Sequence, residues 1–482
     1  MGGHRAARSW VGPASSPRPG QGRIVDRLDR FFGLRARGST VAAEVRGGVT
    51  TFVAMAYIVL LNPIILAGAV DVTGARLSIP QLTTATALAA AVSTLLMAVV
   101  GNAPFGVAAG LGLNAVVAYQ AAPHMTWPQA MGLVVLEGLA IVVLAVSGAR
   151  RMIMNAIPLA LKHAISVGIG LFIALIGLVD AGFVARGTGT PVQLGTTGHL
   201  SGWPVTVFCF GLLLMIVLYA RRVPGAILIS IVATTVLAIV VGTAFAVDPA
   251  QWGVVAPRVP TSIVSAPDFG LFGAFDLFGG FATAGALTAT VVLFTLVLSG
   301  FFDAMGTIIG VSDEAGLVDE QGRVPRLGAI LTVDGVSAAI GGTASASANT
   351  VFVESAAGVG EGARTGLASL VTGALLGLTL LFTPVTTVVP AAAAAPALVL
   401  VGALMMTQAR NVPWTDLDLA IPAFLTIALM PFTYSITAGL GAGLIAYVAI
   451  KLGRGRPGDA HPLLYVVAAM FVAFFSVGLF DG

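Results

Sequence analysis

Long apolar runs separated by short polar segments are the dominant pattern along this chain. The runs recur from Thr51 to Leu479, and at about 17 to 25 residues each is long enough to cross a membrane as a helix. The pattern predicts fourteen spans, at residues 48–68, 81–100, 104–120, 128–147, 163–180, 203–220, 225–246, 286–311, 327–342, 347–360, 365–388, 394–408, 417–433 and 436–452. A further apolar run, 461–479, is either a fifteenth span or a tail lying on the membrane.

Composition agrees with a membrane protein. The chain is 57% hydrophobic and 9% charged, with a mean hydropathy of +0.98, whereas soluble domains contain about 25% charged residues. We therefore expect an all-α polytopic protein in the lipid bilayer. Its single cysteine, Cys209, lies in an apolar run and excludes a disulfide, and the five histidines lack the spacing of metal ligands. No metal or cofactor is predicted.

The distribution of basic residues predicts the orientation. The first 38 residues hold eight arginines and have no apolar core of a signal peptide. We interpret residues 1–40 as a disordered cytoplasmic arm that anchors the N-terminus inside, rather than one that binds nucleic acid. The predicted loops on the same side contain Arg150, Arg151, Lys162, Arg221, Arg222, Arg323, Arg326, Arg364, Arg410, Lys451, Arg454 and Arg456. The long loops 181–202 and 248–285 carry one arginine each and fall outside.

An odd number of spans in each half predicts an inverted repeat. Residues 41–247 and 286–452 form the two seven-span halves, 248–285 is the extracytoplasmic connector, and 453–482 is a tail. The third span of each half, within 102–119 and 341–360, is interrupted by glycine, proline and small polar residues. Such breaks free backbone groups that lipid cannot satisfy, so they are typical of segments that line a substrate site.

Four acids lie within predicted spans: Glu137, Asp303, Asp334 and Glu354. A carboxylate at the bilayer centre costs at least about 2.5 kcal/mol, so its presence suggests a function. Asp303 is followed one helical turn later, on the same face, by Thr307. We predict functional roles for Asp303 and Glu354, and structural hydrogen bonding for Glu137 and Asp334.

Several motifs resemble the azaguanine-resistance-type (AzgA-like) purine permeases of the nucleobase-cation symporter-2 superfamily. The resemblance runs from about Val49 to Lys451. It is carried by TTFVAMAYIVLLNPIIL (50–66), GLGLNA (110–115), NAIPLALKHAISVGIGLFIALIGLVDAG (155–182), FFDAMGTIIGV (301–311), VESAAGVGEGARTGL (353–367) and MPFTYSITAGLGAG (430–443).

The resemblance implies two interlocked seven-helix repeats arranged as a core and a gate domain. The core would contain spans one to four and eight to eleven, residues 48–147 and 286–388. The gate would contain spans five to seven and twelve to fourteen, residues 163–246 and 394–452. It further implies a homodimer in the cytoplasmic membrane that imports hypoxanthine, guanine or adenine by proton symport with alternating access.

The resemblance also implies a site. Glu354 matches the essential acid of the tenth helix and Asp303 an acid of the eighth, and both are candidates for proton coupling. The remaining predicted contacts are Asn114 and Gly112 at the third-helix break, Thr307, Phe352, and the backbone around Ala108 and Ala109. A carboxylate can accept two adjacent N–H groups of a purine, while Phe352 offers a face for stacking.

This chain departs from the family pattern near the site. Where members commonly have D-x-F-D-T in the eighth helix, it has Gly300 and Ala304. In the third-helix pattern A-P-G-M-G-L-N it has Ala109 and Leu111. A carrier for uracil or xanthine is the closest alternative, whereas an anion transporter should lack the acid at Glu354, and a channel would pass substrate-independent current. No nucleophile motif or metal cluster supports an enzyme.

Overall fold

The computed structural model describes residues 21–148, 156–187, 189–318, 324 and 326–480. Residues 1–20 of the predicted arm and the loop residues Arg150, Arg151 and Arg323 lie outside the described residues. The first half contains α1 (Gln21–Phe32), α2 (Val41–Met55), α3 (Ile58–Gly68), α4 (Ile79–Leu96), β1 (Val107–Ala109), α5 (Leu111–Val116), α6 (Trp127–Ser147), α7 (Leu159–Asp180), β2 (Val184–Ala185), β3 (Gln193–Leu194), α8 (Trp203–Ala220) and α9 (Ala226–Ala244).

The rest of the chain comprises the end of the connector, the second half and the tail. It contains α10 (Gly279–Thr283), α11 (Ala286–Glu314), α12 (Leu327–Thr343), β4 (Asn349–Val351), α13 (Ser355–Gly360), α14 (Gly366–Leu378), α15 (Thr383–Thr386), α16 (Ala391–Met405), α17 (Leu417–Phe432), α18 (Ile436–Gly453) and α19 (Pro462–Phe480). Within the described ranges, ten helices are long and apolar enough to cross a membrane. Two shorter apolar helices, α12 and α17, and the two broken segments correspond to the other four predicted spans.

The predicted arm is ordered from Gln21 onward, so the expectation of disorder is wrong for its described part. Phe32 and Leu34 are buried in a small cluster with Leu367 at the start of α14. The Arg37 guanidinium donates hydrogen bonds to the carbonyl oxygens of Asn102 at 2.7 Å and Arg364 at 3.1 Å. Apolar burial and these long-range hydrogen bonds fix the segment against the helical bundle.

Glycine pairs set the closest helix crossings in both domains. A Cβ atom on Gly335 of α12 would lie 2.9 Å from the carbonyl oxygen of Gly138 of α6. A Cβ on Gly170 of α7 would lie 2.9 Å from the carbonyl oxygen of Gly402 of α16. Only residues without a side chain allow backbones to approach this closely. The first pair joins two helices of the predicted core, and the second joins two helices of the predicted gate.

The two broken segments meet as a short antiparallel sheet. Strand β1 pairs with β4 in the register Val107↔Val351, Ala108↔Thr350 and Ala109↔Asn349. Beyond its ends, the Phe352 N–H donates to Gly106 O at 2.9 Å and the Gly110 N–H to Ala348 O at 2.9 Å. The interruptions predicted in spans three and ten are confirmed, and the sheet provides partners for backbone groups that lipid could not satisfy.

The connector and the tail are both packed on the bundle. In the connector, Gly273 N–H donates to Thr343 O at 2.8 Å and Asp276 N–H to Pro128 O at 2.8 Å. These bonds fasten it over the ends of α12 and α6. In the tail, α19 packs against α18 and α11, with Phe471 in edge contact with Phe294 at a centroid distance of 6.1 Å. The two predicted alternatives for this segment, a fifteenth span and a tail lying on the membrane, both stay predictions.

Candidate functional site

Glu354 lies at the junction between strand β4 and helix α13. The helix is pressed against span one, because a Cβ on Gly47 of α2 would lie 2.7 Å from the carbonyl oxygen of Gly358. One turn before that contact, Glu354 is half-buried, and its carboxylate accepts a hydrogen bond from the Tyr57 hydroxyl at 2.5 Å. The break therefore projects an acid into the interior at a fixed position.

Tyr57 occupies a break of its own. It separates α2 from α3 within span one, and only 1% of its surface is exposed. Sequence reasoning missed this residue, since a tyrosine in an apolar run gives no local indication that its hydroxyl meets an acid 297 residues away. The interruption of span one by Asn62 and Pro63 is the nearest signal in the sequence.

Asp303 approaches Glu354 from the neighbouring helix. It lies near the middle of α11, which packs against both β4 and α13. Asp303 is half-buried, as is Thr307 one turn later, and the charge of Glu354 acts on Asp303. The structure thus brings the two predicted acids together in the core, whereas the other two intramembrane acids are fully buried.

The predicted residues of the third segment lie in strand β1, which pairs with β4, and in the short helix α5 that follows it. Ala108, Ala109 and Asn114 are fully buried, and neither amide atom of Asn114 has a hydrogen-bond partner among the described residues. Gly112 is half-buried and faces the gate, since a Cβ there would lie 2.8 Å from Ile169 of α7. Of these residues, Gly112 lies at the boundary between the domains.

Phe352 is 7% exposed and belongs to the main apolar core. Its backbone N–H pairs with Gly106 across the two broken segments. The structure therefore packs this ring in the core, two residues before Glu354. Its predicted stacking against a substrate stays a prediction.

Asp334 has the structural role expected of it. It accepts the hydroxyl of Thr350 at 3.0 Å and the N–H of Val351 at 3.1 Å, both from strand β4. On the other face of β4, the Asn349 amide donates to the hydroxyl of Ser93 at 3.0 Å. Buried polar contacts with α12 and α4 therefore hold strand β4, which leads into Glu354. Such contacts fix the position of the strand.

The gate presents its own polar side chains to this region. Tyr219 of α8 interacts electrostatically with Glu354. The Lys162 ammonium of α7 lies 5.3 Å from the centroid of the Phe302 ring on α11, within cation–π range. The sequence pattern indicates Lys162 only as a basic residue of a cytoplasmic loop, and it gives no signal for Tyr219. Both residues connect a gate helix to the core helices that carry the acids.

The arrangement suits recognition of a small polar molecule. Two carboxyl groups from separate helices can accept adjacent N–H groups, and hydroxyls surround them. Within the described residues, no group of three or more His, Cys, Asp or Glu side chains has the disposition of a metal site.

Comparisons with known proteins agree with this arrangement. The model of the Permease family (Xan_ur_permease) matches residues 42–441. The guanine/hypoxanthine permease PbuG of Bacillus subtilis is 36% identical over 458 residues, covering 93% of this chain and 99% of the relative. The adenine permease AdeP of Escherichia coli is 36% identical over 448 residues, covering 92% of this chain and 95% of the relative.

Solved structures with a similar fold are transporters of low sequence identity. The transmembrane domain of the cyanobacterial bicarbonate transporter BicA matches with a TM-score of 0.58 at 16% identity, covering 83% of this chain and 97% of that one. The structure of SLC26A9 matches with a TM-score of 0.61 at 11% identity, covering 93% and 73%. They confirm the predicted inverted-repeat architecture with core and gate domains, and at this identity they indicate the fold alone.

Proposed function

Because this chain belongs to the Permease family, we propose that it imports purine nucleobases, namely hypoxanthine, guanine or adenine. The chain is a multi-pass membrane transporter and not an enzyme. Two relatives are named for guanine and hypoxanthine or for adenine. Their names support the substrate class of the proposal, and the residues around Glu354 supply its chemistry.

The carboxylate of Glu354 at the tenth-span break is the observation that carries the proposal. Purine bases present adjacent N–H groups on a flat ring, and a carboxylate accepts two such donors side by side. The hydrogen bond from Tyr57 uses one oxygen of Glu354 and orients the group. Asp303 and Thr307 add an acceptor and a hydroxyl from α11, and Asn114 and Gly112 complete the pocket from the third segment.

We propose alternating access by movement of the core against the gate. Glycine crossings join helices within each proposed domain, and the gate residues Tyr219 and Lys162 contact the core beside apolar contacts such as Gly112 with Ile169. Movement of one domain against the other is typical of transporters built from inverted repeats. The substrate would be held on the core and carried past the gate.

We further propose proton symport in a homodimer of the cytoplasmic membrane, with the N-terminus inside. Asp303 or Glu354 would take up a proton together with the base. The orientation is supported by the described basic residues Arg221, Arg222, Arg410 and Arg454, which follow spans six, twelve and fourteen on one predicted side. The dimer is carried over from the family resemblance.

Uptake into proteoliposomes tests the proposal. Purified protein is reconstituted, and uptake of radiolabelled adenine, guanine and hypoxanthine is measured with and without an inward proton gradient. We expect saturable uptake of at least one purine, stimulated by the gradient and poorly inhibited by uracil. Preferential inhibition by uracil or xanthine would assign the chain to those bases, and substrate-independent current would contradict a carrier.

A further inference from the structure

Glu137 is a fully buried acid whose carboxyl group makes no hydrogen bond. It lies in α6 with 0% of its surface exposed, and neither oxygen has a partner among the described residues. The expectation of structural hydrogen bonding, met by Asp334, is therefore wrong for Glu137. A charged carboxylate without partners in a dry interior is strongly disfavoured. In this arrangement of the helices, the neutral acid is the stable form of Glu137.

Gly300 of α11 provides the space that this carboxyl group occupies. A Cβ atom at position 300 would lie 2.5 Å from Glu137 Oε1, and 3.6 Å from Ile141 and Leu113. Any side chain at position 300 would displace the acid. Position 300 is also where the D-x-F-D-T pattern places its first carboxylate. The chain thus has a carboxyl group against this turn of α11, but attached to α6.

Glu137 is surrounded by elements that carry other acids and no basic residue that could pair with it. Helices α11 and α12 and the segments 117–121 and α10 pack against α6. The described titratable groups that they carry are Asp303, Asp313, Asp334 and Tyr119. None of α6, α11 and α12 contains Lys or Arg. A negative charge on Glu137 would therefore be opposed by its neighbours as well as by burial.

We propose that Glu137 is a further proton-binding residue of the transport cycle, a proposal that rests on the proposed function. When the core faces the proton-rich side, a hydronium ion transfers a proton to the Glu137 carboxylate: an O–H bond of hydronium breaks, the O–H bond of Glu137 forms, and water is left. The neutral acid is compatible with the buried arrangement seen here. When the core faces the other side, the O–H bond of Glu137 breaks and a water molecule takes up the proton as hydronium. One proton therefore crosses with each cycle through this residue.

The number of coupled protons tests the inference. Accumulation of the transported purine is measured in proteoliposomes at several imposed pH gradients with the membrane potential clamped. Each coupled proton supports about tenfold accumulation per pH unit, because about 1.4 kcal/mol is a factor of ten. We expect Glu137→Gln to lower the slope of log accumulation against the pH gradient by about one while substrate exchange continues. Asp313→Asn, an exposed acid on α11, should keep the wild-type slope.

The two proposals fail in different ways. No transport of any purine by the wild-type chain overturns the proposed function and this inference with it. A wild-type slope in Glu137→Gln overturns the inference alone.

A second test moves the carboxyl group from position 137 on α6 to position 300 on α11. It keeps the proposal testable if one single variant misfolds. Glu137→Ser should lose the coupled proton. Adding Gly300→Asp to it places a carboxyl group back in the same space from α11, and we expect the slope to recover. Gly300→Asp alone crowds two carboxyl groups and should lower the yield of folded protein. A double variant that folds but couples no better than Glu137→Ser contradicts the proposal.

Discussion

The hydroxyl of Tyr57 donates a hydrogen bond to Glu354 at 2.5 Å and so joins the break in span one to the break in span ten. Tyr57 is buried, with 1% of its surface exposed. Each carboxylate oxygen can accept more than one hydrogen bond, so Glu354 keeps acceptor capacity for a ligand. The bond from Tyr57 therefore determines which direction the acid presents to the proposed substrate.

Tyr57→Phe should reduce transport without preventing folding. A hydrogen bond to a charged group contributes about 1.5–3 kcal/mol, so its loss should lower the efficiency of purine uptake about tenfold or more. Uptake kinetics in proteoliposomes measure the effect. Tyr465→Phe is the matched control, because that hydroxyl donates to Pro457 O at 2.7 Å at an exposed site. Equal kinetics for Tyr57→Phe and wild type would remove Tyr57 from the site.

Gly358→Ala should disrupt the packing of α13, the helix that follows Glu354, against α2. An added methyl group would meet the backbone of Gly47 and the Thr51 side chain, and overpacking of this kind costs about 1–3 kcal/mol. We expect a lower melting temperature in detergent and loss of uptake. Gly360→Ala lies on the same helix, and its Cβ would meet nothing within 4 Å. If the two variants behave alike, the close contact between α13 and α2 does not position the site.

Glu44→Gln should destabilise the protein. The Glu44 carboxylate is fully buried at the start of α14, where it accepts the N–H groups of Arg364 at 2.8 Å, Thr365 at 3.3 Å and Ala368 at 3.2 Å. Negative charge is favoured at a helix N-terminus, and disrupting a buried charged hydrogen bond costs about 1–3 kcal/mol.

Thermal unfolding of the detergent-solubilised variant measures this cost. The control Glu361→Gln removes a solvent-exposed ion pair with Arg46, and we expect a change of about 0–1 kcal/mol there. An unfolding temperature of Glu44→Gln equal to that of the control would contradict the role of Glu44.

The apolar pattern was sufficient to predict all fourteen segments, because the length and hydrophobicity of a span are local properties of the sequence. The breaks in spans three and ten were likewise predicted from glycine and small polar residues. The pairing of β1 with β4 was not predicted, since strands of three residues separated by half the chain carry no local signal.

The polar residues that could not be predicted from the sequence are those whose partners lie far along the chain. Tyr57, Glu44 and Tyr219 each act on residues far along the chain, so neither residue type nor spacing identifies them. Asp334 and Glu137 were given the same interpretation, because both are acids within apolar helices. Only the neighbouring elements distinguish them. Strand β4 supplies hydrogen-bond donors to Asp334, whereas Glu137 occupies the space beside Gly300 without a donor.

Purine uptake by Glu354→Gln is the most direct test of the account. Glutamine keeps the shape of the side chain but replaces one acceptor oxygen with a donor, so it should no longer accept two N–H groups of the base. Glu361→Gln, an acid on the surface seven residues later, serves as the control. With both variants present in the membrane at equal amounts, we predict that Glu354→Gln has lost uptake of radiolabelled adenine, guanine and hypoxanthine while Glu361→Gln retains it. Full uptake by Glu354→Gln would contradict the account.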